Sequence, residues 1–222
     1  MTSTGTYTGH VEPGGPPKMR KLARLRVSKL SVGGAWDNNV YLLRCTETGA
    51  QLLVDAADEA PRVLAMVGDA ALERVVTTHR HRDHWKALAA VVAATGARTA
   101  AGRDDVDGIP VATNEPLADG DEIRFGRCVL GVITLVGHTP GSVALCYDEP
   151  GGVPHLWTGD SLFPGGPGKT AGSAEFTSLM DDLEMKVFGP LPDQTWVYPG
   201  HGDDTTLGAE RPSLDEWRKR GW

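Results

Sequence analysis

The chain has 222 residues, with 22 Lys and Arg against 29 Asp and Glu, a formal net charge of −7, and 40% hydrophobic and 23% charged residues. This is ordinary globular usage at a length that one hydrophobic core can organise, which excludes a disordered, collagenous or coiled-coil chain and two full-sized domains. The acidic balance argues against nucleic acid or an anionic membrane as partner, and no run approaches the roughly 20 apolar residues of a membrane span. Residues 1–20 are rich in Thr, Gly and Pro and read as a disordered N-terminal tail carrying His10, ahead of a single domain over residues 21–222. Leu22, Leu25, Val27 and Leu30, set among Lys21, Arg24, Arg26 and Lys29, predict an edge strand with a wet, basic face. After the turn-rich Gly33 to Asn39, the runs Val40 to Leu43 and Gln51 to Val54 predict a hairpin around Thr46 to Gly49. A helix over Asp58 to Val67, a strand over Val75 to Thr78 and an Ala-rich helix over Trp85 to Thr95 follow, the last presenting Trp85, Leu88, Val91 and Val92 on one side.

Between Arg103 and Asp121 the chain is rich in Asp, Gly and Pro, and alternation then resumes in Ile123 to Phe125, Val129 to Leu135, Val143 to Tyr147 and Leu156 to Thr158. A Gly/Pro loop runs from Phe163 to Gly172, and the pattern closes with a helix over Ser178 to Val187, a strand over Trp196 to Tyr198 and a helix around Leu214 to Lys219. Blocks of alternating strands and helices imply two sheets with helices outside. His155 is expected to face solvent, and Arg211, Trp217 and Trp222 to pin the last helix. The first thirty residues lack the apolar core of a secretory signal, and Cys45, Cys128 and Cys146 are odd in number and far apart. Reduced, buried thiols and a cytoplasmic location are the expectation.

The string Thr78-His79-Arg80-His81-Arg82-Asp83-His84 packs three imidazoles and a carboxylate into six residues, between a strand and a helix. Imidazole nitrogen and carboxylate oxygen suit zinc, iron or manganese, and two groups of such ligands side by side suggest two cations. Three further segments end a short apolar run in a Gly-bounded polar residue: Gly137-His138-Thr139-Pro140-Gly141-Ser142, Gly159-Asp160-Ser161 and Pro199-Gly200-His201-Gly202. Only a folded scaffold could assemble groups so far apart in the chain. Two rival chemistries lack their motifs. Gly168-Lys169-Thr170 ends like a phosphate-binding loop but has Phe163 where the first Gly belongs, and Ser161 in Gly159-Asp160-Ser161-Leu162-Phe163 lacks the last Gly of a nucleophile elbow.

Together these strings resemble the metallo-β-lactamase superfamily, whose pattern is His-x-His-x-Asp-His followed by a His, an Asp and a final His; the resemblance runs from about Val27 to His201. It implies a four-layer αβ/βα sandwich, two mixed sheets flanked by helices, with the site along one edge. Carried over, His79, His81 and His138 would hold one metal and Asp83, His84 and His201 the other, with Asp160 bridging and Asp55 buttressing the site from behind the ligands. Asp55 is followed by Ala56-Ala57 where many members have a Gly. Asp160-Ser161 is similar to the glyoxalase II, lactonase and persulfide dioxygenase side of the superfamily.

The nearest local match is to glyoxalase II-like hydrolases, although only 21 residues follow His201, where glyoxalase II has a helical region that helps bind glutathione. The resemblance implies two divalent cations, zinc foremost with iron or manganese open, and hydrolysis of a small-molecule thioester or ester by a metal-bound hydroxide that Asp83 and Asp160 orient. Lys169 and Trp36 are candidates for substrate contact. The alternatives are a lactonase, a mononuclear iron persulfide dioxygenase using His79, His138 and Asp160, and a non-catalytic, metal-stabilised binding protein.

Overall fold

Runs of strand-forming residues assemble into two facing sheets over residues 7–221, the part of the chain that the computed structural model describes. The first sheet follows chain order: β1 (Lys18–Lys21), β2 (Leu25–Val32), β3 (Asn38–Cys45), β4 (Gln51–Val54), β5 (Leu72–Thr77), β6 (Arg98–Gly102) and β7 (Glu115–Leu117). Its pairs are antiparallel as far as β4 and parallel beyond it. In the second sheet β8 (Glu122–Phe125), β9 (Cys128–Thr134), β10 (Val143–Asp148) and β11 (Pro154–Gly159) are antiparallel neighbours. A small hairpin, β12 (Leu162–Phe163) with β13 (Gly166–Pro167), then precedes β14 (Trp196–Pro199), which lies parallel to β11, and β15 (Thr205–Thr206) on the outside.

Period-two alternation sends the side chains of each strand to two different cores. In β2, Leu25 and Val27 face the second sheet while Leu30 and Val32 face outward under α1 (Ala60–Val67) and α2 (Leu88–Thr95). Trp157 of β11 lies between the sheets and Leu156 packs the other way, under α3 (Ser173–Asp182) and, beyond the short α4 (Leu207–Glu210), α5 (Leu214–Arg220). The expected four-layer αβ/βα sandwich is the result. Both faces of each sheet are covered, which is why the central strands read as nearly continuous apolar runs. Fully burying one such large side chain contributes about 1.5–3 kcal/mol.

Several local expectations are corrected. Of the expected tail, residues 18–20 belong to β1, and residues 1–6 lie outside the described residues, as does Trp222. β1 pairs along β2, so β2 is not an edge strand, and Lys29 is fully buried on its inner face. A buried ammonium must find partners. Lys29 Nζ donates to the carbonyls of Gly9 and Gly202 and pairs with Asp204 Oδ1, each at 2.7 Å. Asp204 Oδ2 accepts the Tyr7 hydroxyl at 2.7 Å and the Trp196 indole N–H at 2.8 Å, which fastens the N-terminal segment to the loop after β14.

His155 is buried as well, because it shares the inner face of β11 with Trp157 two residues on. The helix expected from Trp85 begins at Leu88, since the chain first makes a tight turn over Arg82–His84. The helix expected from Ser178 begins at Ser173 and ends in a π-helical stretch, Leu183–Phe188. Trp217 is buried against Phe188, and Arg211 donates to the carbonyls of Phe188 and Leu191, so both fasten the C-terminal helices as expected.

For the site, strand direction matters most. β4 and β5 run parallel, and β9, β11 and β14 run parallel to one another, so their carboxyl ends release the loops of Asp55, His79, His138, Asp160 and His201 at one edge of the sandwich. Ligand sites of open α/β sheets form outside such ends.

Candidate metal centre

The turn after β5 brings buried His79 beside exposed His81, with Nε2 of the first 3.0 Å from Nδ1 of the second. His138, on the loop after β9, completes a triangle, its Nε2 lying 2.9 Å from His81 Nδ1 and 3.2 Å from His79 Nε2. On the other side of Asp160, His84 Nε2 and His201 Nε2 lie 3.6 and 3.3 Å from Asp83 Oδ2. Asp160 stands between the two groups: its Oδ1 is 3.3 Å from His84 Nε2, and its Oδ2 is 3.4 Å from His201, 3.7 Å from His138 and 4.0 Å from His79. Three overlapping sets of these side chains have the spacing to hold an ion.

The outer nitrogens decide what the inner ones can do. His138 Nδ1 donates to the Lys169 carbonyl at 2.6 Å, His201 Nδ1 to the Trp36 carbonyl at 2.6 Å, and His84 Nδ1 to Asp55 Oδ2 at 2.8 Å. His79 Nδ1 donates to the Thr78 hydroxyl at 3.1 Å, whose own proton goes to Asp55 at 2.8 Å. Each acceptor fixes a tautomer in which the inner nitrogen presents a lone pair. Among His79, His81 and His138 such lone pairs face one another and repel, and buried His84 Nε2 and Asp160 Oδ1, 3.3 Å apart, make no well-formed hydrogen bond. A buried polar atom without a partner costs about 1–3 kcal/mol, and a divalent cation among these atoms removes that cost. The donor set therefore fits two cations.

Electrostatics follow the same division. Burial, then the neighbouring imidazoles, holds His79 well below the ordinary imidazole value. Burial works against charge on His84 too, yet the carboxylates of Asp160 and Asp55 outweigh it and raise its value. His201 is likewise opposed by burial but carried up to about 10 by Asp160 and Asp83. Asp83 is held well below the carboxylate range by its contact with His201, against burial and with help from Asn38. Burial opposes the charge of Asp160 as well, and His84 and His201 overcome it.

Asp83 and Asp160 lie among the imidazoles and Asp55 lies behind His84. Lys169 and Trp36 reach the site by their carbonyls, and their side chains are exposed at its rim. Asn38, Asn39 and Asp105 were missed. Asn38 donates to Asp83 at 3.0 Å, and Asn39 ties the His201 loop by donating to the carbonyls of Pro199 and Gly202, each at 2.9 Å. Both asparagines had been read as turn formers, and only their adjacency to a strand hinted otherwise. Gly200 is required by close approach, because a Cβ there would lie 2.1 Å from Asp160 Oδ1. A cavity of about 480 Å³ opens beside His138, with Arg80, Val136, Pro140 and Glu175 in its wall.

Comparison with known proteins agrees with this arrangement. The family model of the metallo-beta-lactamase superfamily matches residues 33–201. A hydroxyacylglutathione hydrolase of Polaromonas sp. is 34% identical over 177 residues, covering 79% of this chain and 66% of that protein. The chain thus spans just under two thirds of the length of that curated relative. Among solved structures, ETHE1 from Myxococcus xanthus superposes with a TM-score of 0.75 at 29% identity, over 87% of this chain and 84% of that one. TTHA1623, solved in a di-iron-bound form, superposes with a TM-score of 0.66 at 29% identity, over 82% of this chain and 96% of that one.

Proposed function

The chain belongs to the metallo-beta-lactamase superfamily, and on that premise we propose that it is a metal-dependent hydrolase of a small-molecule thioester or related acyl ester. His79, His81 and His138 would hold one divalent cation and Asp83, His84 and His201 the second, with Asp160 within reach of both groups of ligands. The observation that carries this reading is the convergence of the inner ring nitrogens of His79, His84, His138 and His201, whose outer nitrogens are each engaged, with His84 Nε2 and Asp160 Oδ1 left without a well-formed hydrogen bond. When bound, two such cations supply a water acidified toward pKa about 7 and Lewis-acid polarisation of the substrate carbonyl.

The residues do the rest. Asp83 and Asp160 stay ionised at neutral pH, so both accept hydrogen bonds from the attacking water and orient it. Asp55 accepts the hydrogen bond of His84 Nδ1–H and, through Thr78, orders His79, so that neither ring turns away. Trp36, whose carbonyl meets His201 Nδ1, and Lys169, whose carbonyl meets His138 Nδ1, have exposed side chains that would meet the substrate's non-reacting end. Zinc is the expected metal, and the cytoplasm the expected location, supported by three cysteines that are all unpaired.

The facial set His79, His138 and Asp160 also supports a second reading, one iron ion serving oxygen chemistry on a persulfide. Metal content by mass spectrometry, taken with assays on thioester, lactone and persulfide substrates, separates the two. Two cations per chain with thioester or ester hydrolysis is the expected result, and one iron with oxygen uptake favours the second. His79→Ala should abolish turnover, and undiminished hydrolysis by that variant would sink the hydrolase mechanism.

A further inference from the structure

Between β6 and β7 lies a carboxylate that the proposed chemistry does not use. Asp105 is wholly buried, and a buried carboxylate persists only where donors meet its lone pairs. Its Oδ2 accepts the Arg80 backbone N–H at 2.9 Å and the Thr139 hydroxyl at 2.5 Å, and its Oδ1 accepts the Gly141 N–H at 3.0 Å. Arg80 Nε adds positive charge 3.7 Å from Oδ1. These donors come from two loops only. Arg80 stands between His79 and His81, and Thr139 follows His138.

Backbone packing brings the same segments together independently. A Cβ on Gly141 would lie 2.4 Å from the Asp105 nitrogen, and one on Gly102 would lie 1.8 Å from the Gly141 carbonyl oxygen, so neither position admits a side chain. We propose that Asp105 is a positioning residue for the first cation: it clamps the loop of His79 and His81 to the loop of His138, across the two sheets, at the separation the three imidazoles need. This rests on the two-cation reading above. Asp55 does the corresponding work for His84, so each group of ligands has a buried carboxylate of its own.

The chemistry selects Asp over Asn. All the partners are donors, and a carboxylate is acceptor-only, whereas an amide would turn an N–H₂ toward one of them. The hydroxyls of Thr139 and Ser142, 2.6 Å apart, can donate either way and could adapt, but the backbone N–H groups of Arg80 and Gly141 meet different oxygens of Asp105 and cannot reverse, so either amide orientation opposes one of them.

The test loads the full chain with cobalt(II), counts bound ions and records the visible spectrum for wild type, Asp105→Asn and Thr139→Val. Wild type should bind two ions. Asp105→Asn should keep the ion at Asp83, His84 and His201 but hold the other 10- to 100-fold more weakly, with an altered absorption band. Thr139→Val, which removes one donor without adding an opposing one, should move affinity and spectrum the same way by a smaller factor, and it decides the matter if Asp105→Asn fails to fold. A folded variant of either kind with wild-type affinity and spectrum at both positions overturns the clamp while leaving the two-cation reading standing. Fewer than two ions in the wild type overturns that reading and the clamp with it.

Discussion

His155 shows how a single residue can be misjudged from its neighbours in sequence and then become informative. It follows Pro154 and precedes a strand, which suggests solvent, yet β11 turns it inward, where Nδ1 accepts the Tyr198 hydroxyl at 3.0 Å and the Arg20 guanidinium stands near that hydroxyl at 3.4 Å. Burial, then the charge of Arg20, pushes the imidazole down from 6.5 to about 4. A base with a depressed value in the fold gives stability that is complete above about 6.5 and lost as pH falls toward 4, because the unfolded chain takes up the proton first. The melting temperature should therefore fall across that window, and less steeply in His155→Phe. Superimposable pH profiles for the two proteins would refute this account. The ligands themselves were legible because histidine is scarce in this chain and their strings are local and Gly-bounded. Asn38 and Asp105 were not, since their meaning depends on partners 45 and 34 residues away.

At the scale of elements, the strands with strong alternation were legible and the weak ones were not. β6 (Arg-Thr-Ala-Ala-Gly) and β7 (Glu-Pro-Leu) have little apolar pattern of their own and are defined by parallel pairing to β5 and to each other. Tertiary pairing likewise overrode the reading of β2, where a lysine at a supposedly wet position is the anchor of a buried network. Removing one partner of a buried ion pair leaves the other uncompensated, at about 3–5 kcal/mol. Lys29→Met should show a loss of that size in urea unfolding, and Lys29→Met combined with Asp204→Leu should recover a good part of it. If the single variant is as stable as wild type, the pair contributes no net fastening. Tyr7 and Gly9 belong to the same network, so the N-terminal segment is held by chemistry that its own composition does not reveal.

At the scale of the molecule, the sandwich was legible from alternating blocks plus the ligand strings, because only one arrangement of strand ends gathers all of them. Without cations, that edge sets the inner lone pairs of His79, His81 and His138 against one another, while neighbouring carboxylates draw His84 and His201 toward their protonated forms. Cations bound only by the folded chain should stabilise it by about 4 kcal/mol per site at a thousand times the dissociation constant. Calorimetry should show a higher melting temperature with zinc, iron or manganese and its reversal by a chelator. A melting temperature indifferent to all three would contradict the assignment.

The two large sheets divide the sequence cleanly, β1 to β7 from the first half of the chain and β8 to β11 with β14 and β15 from the second. Each proposed cation would take ligands from both: His79 and His81 with His138, and Asp83 and His84 with His201. Only the short turn from Ala118 to Asp121 joins the two sheets in sequence. A nick there would leave every proposed ligand in place, and the halves of the chain would then be joined by coordinate bonds, hydrogen bonds and packing in place of a peptide bond.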